Sequence, residues 1–228
     1  MKRLLLALAL LSGCSIESWK YKSYPPNPYP DLQVVAVLPV FNSTLDGKFD
    51  GMEYGNIIAS ELIKFDGFRV LRPIDFKRAM EAGEKINSVE DVLRISRKMK
   101  ADAVLVTQIT DYDPYDPPRI GINVQFLRTQ GRTLSGADID RIVQSASWRR
   151  GPLAMTRERA GNWIDAFETV YDAHEERIRK EVIQYAQAQE GEDTPFVGEK
   201  EFLAVQSRYM QFVANQLLNR LFDRTVAE

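Results

Sequence analysis

Apolar residues along the chain recur in two periods, and these predict alternating strands and helices. The run 34–41, VVAVLPVF, is apolar at nearly every position, which is typical of a strand buried on both faces. A second run of this kind, AVLVTQI, covers 103–109. Residues 120–126 instead alternate between apolar and polar, which predicts a strand with one face in water.

Helical spacing fills the intervals between these strands. After the first strand, apolar residues share one helical face until Gly67, a common helix stop. A short strand at 68–71 follows. Pro73 opens a helix that ends at Gly83, and Ser88 is the N-cap of another. We therefore predict an α/β fold for 32–128, in which helices flank a mixed sheet.

The C-terminal part, 129–228, is predicted as a connector and a helical extension that pack on the same domain. The connector, 129–155, is polar and contains glycine. One amphipathic helix begins near Asp172, where Glu175 completes a capping box. The last helix has the strongest amphipathic pattern in the chain, with apolar residues at Phe202, Val205, Tyr209, Val213, Leu217 and Leu221. No strand is predicted here.

The start of the chain has the form of a secretory signal. Lys2 and Arg3 precede the apolar run 4–11, which is far shorter than the roughly 20 residues that span a bilayer. Leu11-Ser12-Gly13-Cys14 closes the run, and this order resembles the lipobox of bacterial lipoproteins. The resemblance implies removal of 1–13 and a lipid, palmitate among its acyl chains, on Cys14. The alternatives are a cysteine buried in an N-terminal helix and a nucleophile.

A lipidated Cys14 places the mature protein on a membrane, because two or three acyl chains hold firmly where one does not. Ser15 occupies the place where Asp favours inner-membrane retention in lipoproteins of the enterobacterial type. We therefore expect the outer membrane, with the body in the periplasm. Inner-membrane sorting stays open, because sorting rules differ between bacterial lineages.

The segment 14–31 is predicted as a lipidated, proline-rich tether. Four prolines between 25 and 30 remove backbone donors and favour extended polyproline geometry. Trp19 and the tyrosines of this segment leave two other interpretations open, a recognition segment and an anchor at the lipid headgroups.

Composition excludes several classes of function. The net charge of −2 includes Lys2 and Arg3, so the cleaved chain is still more acidic and has no footprint for nucleic acid. Cys14 is the only cysteine, so no disulfide or thiolate metal site is available once it carries lipid. Stability must come from one packed core.

The pattern from 34 to 128 resembles a domain shared by several envelope proteins. The resemblance rests on VVAVLPVFN, the helix from Tyr54, FRVLRP, PIDFKRAM, MKADAVLVTQITDY and IGINVQF. The proteins are the curli secretion-channel lipoproteins, the lipoprotein activators of penicillin-binding proteins, and the N-terminal domain of the Tol-Pal propeller protein. The resemblance covers under half of the chain. It implies protein docking or assembly at the envelope, without catalysis in this domain.

Candidate chemistry is sparse. His174 is the single histidine and no HExxH is present, so we read it as a solvated residue of a first helical turn. The acidic cluster DYDPYD, 111–116, lacks the spacing of a calcium loop and reads as turn chemistry. LDGKFDGMEYG, 45–55, matches neither phosphate-binding glycine motif. We predict no catalytic, cofactor-binding or metal-ligating residue.

A basic spot in the connector is the candidate contact surface. Trp148, Arg149 and Arg150 are adjacent, and they suit lipid headgroups or an acidic partner. A solvated surface spot is the plainer interpretation.

These patterns favour a non-enzymatic outer-membrane lipoprotein that docks an envelope protein. The alternative is a subunit of a curli-like oligomeric secretion channel, which needs membrane strands of about 9 to 11 residues. Only 120–128 approaches that pattern. A peptidoglycan-acting enzyme is third. The partner, the pathway and the oligomeric state are open.

Lipidation gives the first testable prediction. Cys14→Ala should leave an uncleaved precursor that no longer enters the detergent phase, because the proposed lipid depends on one sulfur. Phase partition and palmitate labelling measure this. Labelling that persists in the variant would contradict the prediction.

Overall fold

The fold was determined as a computed structural model that describes residues 24–44, 46–47, 49–86, 88–144, 157–189 and 198–222. Six strands form one mixed sheet, and helices lie on both of its faces. The predicted α/β class with C-terminal helices is confirmed.

The strands and helices are numbered in chain order. The strands β1 to β6 are Val34–Val37, Phe41–Asn42, Arg69–Leu71, Ala103–Asp113, Arg119–Arg128 and Trp163–Asp172. The helices α1 to α7 are Gly51–Leu62, Pro73–Glu81, Val89–Lys98, Gly136–Gln144, Glu176–Gln189, Gly198–Ala204 and Gln206–Phe222. A 3-10 helix, Arg157–Asn162, leads into β6.

The sheet has the order β3-β1-β4-β5-β6, and β2 pairs with β4 beyond the end of β1. Strands β3, β1 and β4 run parallel, whereas β5 and β6 continue the sheet antiparallel. Parallel strands are covered on both faces, which explains why β1 and the first four residues of β4 are apolar at every position.

Each face of the sheet has its own core. The first face carries alternate residues of β1, β4, β5 and β6 and packs against α1, α5 and α7. Phe126 of β5, for example, meets Phe222 of α7 edge to face. The second face packs against α2 and α3, around Phe76 and Leu93.

The cover of the second face is incomplete among the described helices. The apolar residues of the sheet in this second core come from β1, from Val104 and Val106 of β4, from Leu127 near the end of β5, and from Trp163 and Ala166 in the first half of β6. Farther along the same face, a polar row runs across β4, β5 and β6: Gln108, Asn123 and Glu168.

Helix α1 lies unusually close to the backbone that links β1 and β2. A Cβ atom on Gly51 would come within 2.2 Å of the Val40 carbonyl oxygen, and one on Gly55 within 2.9 Å of the Leu38 carbonyl oxygen. Asp50 caps this helix by accepting from the backbone N–H groups of Met52 and Glu53. Gly51 and Gly55 therefore serve close packing.

Three expectations about local structure are wrong. Strand β6 and helix α4 lie where no regular structure was predicted. Because β6 pairs with β5, β5 is an interior strand, and Asn123 and Gln125 are buried instead of wet. The predicted last helix is two helices, α6 and α7, with a break at Val205.

Burial of β1 gives the second prediction. Val37 is fully buried on the first face, so Val37→Asp places an unpaired charge in the core and should cost several kcal/mol. Urea unfolding measures the loss. The matched control is Ile63→Asp, because Ile63 is 56% exposed and the change there should cost no more than about 1 kcal/mol. Equal stability of the two variants would contradict the burial.

Candidate functional site

Two sites from the sequence lie outside the described residues. Cys14 precedes residue 24, and Trp148, Arg149 and Arg150 fall between 144 and 157. The lipid anchor and the basic contact spot therefore stay predictions.

His174 lies in the turn between β6 and α5. Its backbone N–H donates to Asp172 Oδ1 at 2.9 Å, and its ring Nδ1 lies 2.8 Å from the same oxygen. The side chain is largely exposed. These contacts explain His174 as part of a turn that starts a helix.

The acids of 111–116 also have structural roles. Asp111 pairs with Arg119 across the β4–β5 hairpin at 2.8 Å, and Asp113 accepts from the backbone N–H of Tyr115. Within the described ranges, no group of three or more His, Cys, Asp or Glu side chains is placed to hold a metal ion.

The N-terminal segment is packed onto the domain from residue 24 onward, which differs from a free spacer. Tyr24 meets Phe65 edge to face at 5.0 Å, and Tyr29 lies against Phe126. Asp31 pairs with Arg128. We call residues 24–31 the docked segment. Only the part of the predicted tether before residue 24 is left to act as a spacer.

Glu61 lies beneath the docked segment, near the end of α1. Its residue exposure is 3% although it is an acid. Lys64 Nζ lies 2.6 Å from Oε1, the Tyr185 hydroxyl donates to Oε1 at 3.3 Å, and the Tyr24 hydroxyl lies 3.5 Å from Oε2. A buried carboxylate needs such partners, because it is costly to bury unpaired. Three parts of the chain thus meet at Glu61: the docked segment, α1 and α5.

The pKa values of the partners reflect this arrangement. Burial and then the charge of Glu61 raise the pKa of Tyr24, and the same two causes raise the pKa of Tyr185. Burial alone would lower the pKa of Lys64, but its hydrogen bond to Glu61 and the charge of Glu61 outweigh burial and raise it. Lys64 therefore stays charged and both phenols stay neutral near neutral pH.

A groove of about 230 Å³ opens between α1 and α7 beside this cluster. Five residues of α1 and one of α7 line it: Glu53, Asn56, Ile57, Ser60, Glu61 and Gln211. Five of these six side chains carry a polar group, although most of the surface that lines the groove is apolar. The groove therefore suits a hydrogen-bond donor or a cationic side chain, with Ile57 as an apolar contact.

The position of Glu61 in the sequence predicts its burial, although Glu61 was not among the predicted site residues. Glu61 follows Tyr54 by seven positions and Ile58 by three, so it falls on the apolar stripe of α1. An acid on such a stripe, with Lys64 three residues on, predicts a buried, paired carboxylate. Its partner Tyr185 is 124 residues away along the chain and could not be read from spacing.

Comparisons with known proteins give a general likeness only, since no family model and no curated protein matches the chain. Lipoprotein GNA1162 from Neisseria meningitidis is 12% identical, with 82% of this chain and 96% of that chain covered and a TM-score of 0.40. Hypothetical protein CT253 from Chlamydia trachomatis is 13% identical, with 86% and 94% covered and a TM-score of 0.36. The PelC dodecamer from Paraburkholderia phytofirmans is 15% identical, with 47% and 67% covered and a TM-score of 0.30.

Because these TM-scores are 0.40 or lower, function must be argued from this chain's own residues. None of the described helices is both long and apolar enough to cross a membrane.

The buried phenols give the third prediction. A tyrosine whose pKa is raised by folding holds its proton to higher pH than the unfolded chain does. Stability is therefore fully present below about pH 10 and is lost as the pH rises through the folded pKa. Above about pH 10, Tyr185→Phe should reduce the slope with which the free energy of unfolding falls with pH, by at most about 1.4 kcal/mol per pH unit. Urea unfolding at several pH values measures the slope.

The matched control is Tyr115→Phe, because Tyr115 is 74% exposed and does not pack in the core. This variant should unfold like the unchanged protein at every pH. If Tyr185→Phe also left the alkaline slope unchanged, the buried phenol would not govern it.

Proposed function

We propose that this chain is a non-enzymatic lipoprotein of the outer membrane that docks a periplasmic or envelope protein through the groove between α1 and α7. The observation that carries the proposal is the groove beside the docked segment, in whose wall polar groups, among them the buried Glu61, lie in a mostly apolar lining. The proposed anchor at Cys14 supplies the location.

The docked segment limits how far the domain can stand from the membrane. Between a lipid on Cys14 and the first packed residue, Tyr24, a fully extended chain spans at most about 35 Å. The aromatic contacts of Tyr24 and Tyr29 then fix the direction in which the domain leaves the tether. This geometry supports a partner reached near the membrane surface.

The groove supports docking because its polar groups are already placed on two packed helices. Helices α1 and α7 lie on the first face and share the core around Phe65 and Phe222. At the other end of α1, the Tyr54 hydroxyl forms hydrogen bonds with Tyr112 and with Gln206 of α7. Helices α1 and α7 are therefore in contact near both ends of the groove. A partner side chain would therefore enter a site that needs little rearrangement.

The position of β5 favours docking over the channel alternative. Residues 119–128, which include the segment that the alternative needs, are hydrogen-bonded to strands on both sides and buried on both faces. As folded, this segment belongs to the core and offers no free face to lipid. The peptidoglycan-enzyme alternative has no observation in its favour, and a zymogram with cleared wall material would revive it.

The fourth prediction tests the groove. Asn56 is exposed on α1 and lines the groove, so Asn56→Arg should fill it while leaving the core untouched. Crosslinking in intact cells, followed by mass spectrometry, should show partner adducts with the unchanged protein. We expect these adducts to fall about tenfold or more in the variant, as for a central contact.

The matched control is Ala82→Arg, which adds the same side chain to an exposed position at the end of α2. The control should keep its adducts. If both variants crosslink like the unchanged protein, the groove is not the docking surface. If both lose their adducts, the loss reflects added charge rather than the groove.

A further inference from the structure

Strand β6 is the longer of the two edges of the sheet. At one edge β3 has three residues, while at the other β6 has ten. An edge strand directs alternate N–H and C=O groups outward, and this row can pair with another chain. No strand in the described ranges pairs with the outer side of β6. Its length alone would allow a partner of several residues.

Two exposed side chains of β6 lie on the second face, where α2 and α3 do not reach. Val170 is 49% exposed and lies opposite Gly121, which has no side chain to cover it. Glu168 is exposed two residues earlier, and it forms no hydrogen bond or ion pair with the described part of the chain. An unpaired acid and an uncovered valine thus stand side by side at the edge.

The row behind Glu168 also has unfilled bonding capacity. Asn123 of β5 lies directly opposite Glu168 and is 3% exposed, yet its Oδ1 has no hydrogen-bond partner among the described residues. Buried polar atoms are nearly always paired in folded proteins. Two neighbouring groups, Asn123 Oδ1 and the Glu168 carboxylate, can therefore accept a hydrogen bond from a donor outside the described residues.

Charge determines the kind of partner. The ten residues of β6 include Asp165, Glu168 and Asp172 but no Lys or Arg. Asp172 is engaged by His174, and Asp165 lies within the field of Arg220, so Glu168 is the acid left without a counter-charge. A second copy of β6 would bring further acids to this edge, which is unfavourable between paired strands. A basic strand is complementary.

We propose that β6 is the acceptor edge for an extended, positively charged segment of a partner protein, which adds antiparallel to the sheet. A basic side chain of that segment lies against Glu168, and an apolar side chain two residues before it lies against Val170. The backbone bonds supply affinity, and these two positions supply specificity.

Peptide binding tests the proposal. The probe is a short labelled peptide with a central arginine, in which isoleucine stands two residues before the arginine and threonines occupy the alternate positions. It is titrated against the mature chain in detergent, and fluorescence anisotropy measures binding. A peptide with glutamate in place of that arginine should bind about tenfold more weakly. Glu168→Arg should reverse the preference. Glu81→Arg, an exposed acid of α2, is the matched control and should not change it.

Backbone methylation separates strand addition from simple charge attraction. Two peptides carry N-methyl groups on alternate residues, one set on the even positions and one on the odd. Only the residues that face β6 donate to it, so one set should abolish binding and the other should preserve it. If both methylated peptides bind like the parent, the segment does not add as a strand and the proposal fails.

Other occupants give different results, and each overturns the proposal. If the peptide binds only after Arg149→Gln and Arg150→Gln are combined, the chain's own segment 145–156 occupies the edge. If Glu168→Arg alters the oligomeric state in sedimentation while no peptide binds, a second copy occupies it. The proposal is independent of the groove between α1 and α7, so Asn56→Arg should bind the peptide like the unchanged protein.

Discussion

A sheet that is apolar on both faces must be covered on both faces, and this requirement determines most of the molecule. In β1, Val35 and Val37 belong to the first core, while Val34 and Ala36 belong to the second. Parallel neighbours also require crossover connections, and those connections supply α1 on the first face and α2 with α3 on the second. Each helix satisfies the chain connection and the cover at once.

The same requirement explains why the C-terminal helices are part of the core. Helix α1 packs beside β1, but β5 and β6 also expose apolar residues to the first face, among them Phe126 and Tyr171. Phe222 and Phe212 of α7 meet these rings edge to face. Without α7 the antiparallel half of the sheet would leave aromatic surface in water, so the extension is a structural necessity.

Where cover is missing, polar residues take over. The second face is apolar as far as α2 and α3 reach, and it changes to Gln108, Asn123 and Glu168 beyond them. On the first face the outer side of α1 is likewise polar where the groove opens. Both candidate surfaces thus lie where the helical cover ends, so their side chains contact solvent or a partner instead of the core.

The sequence was sufficient for the elements whose burial is uniform along the strand or helix. β1 and β4 are apolar on both sides, and Ser88 and Pro73 mark helix starts through local chemistry that needs no distant partner. β6 was missed although most of its residues favour strands, because Asp165 and Glu168 interrupt the alternation. Both acids are compatible with a strand at the edge of the sheet. The order of the strands is a property of the assembled sheet, so the sequence of β6 alone does not show that it is an edge strand.

The candidate groove was beyond the sequence for a related reason, since its components come from separated parts of the chain. Residues of α1 indicate a buried carboxylate at Glu61, but Tyr185 reaches Glu61 only after α5 has packed, and Gln211 lines the groove only after α7 has packed. Local periodicity identifies which side of a helix is buried. It does not identify which distant polar group will meet it there.

Glu61 joins the two parts of the proposed function. Its Oε1 accepts from Lys64 and Tyr185, whereas Oε2 has only the distant hydroxyl of Tyr24 at 3.5 Å. A carboxylate oxygen has two lone-pair sites, so Oε2 can accept a further hydrogen bond from a donor that reaches it. Such a donor would share this oxygen with Tyr24 of the docked segment. The side chain in the wall of the groove therefore also contacts the segment that would connect the domain to the proposed lipid anchor.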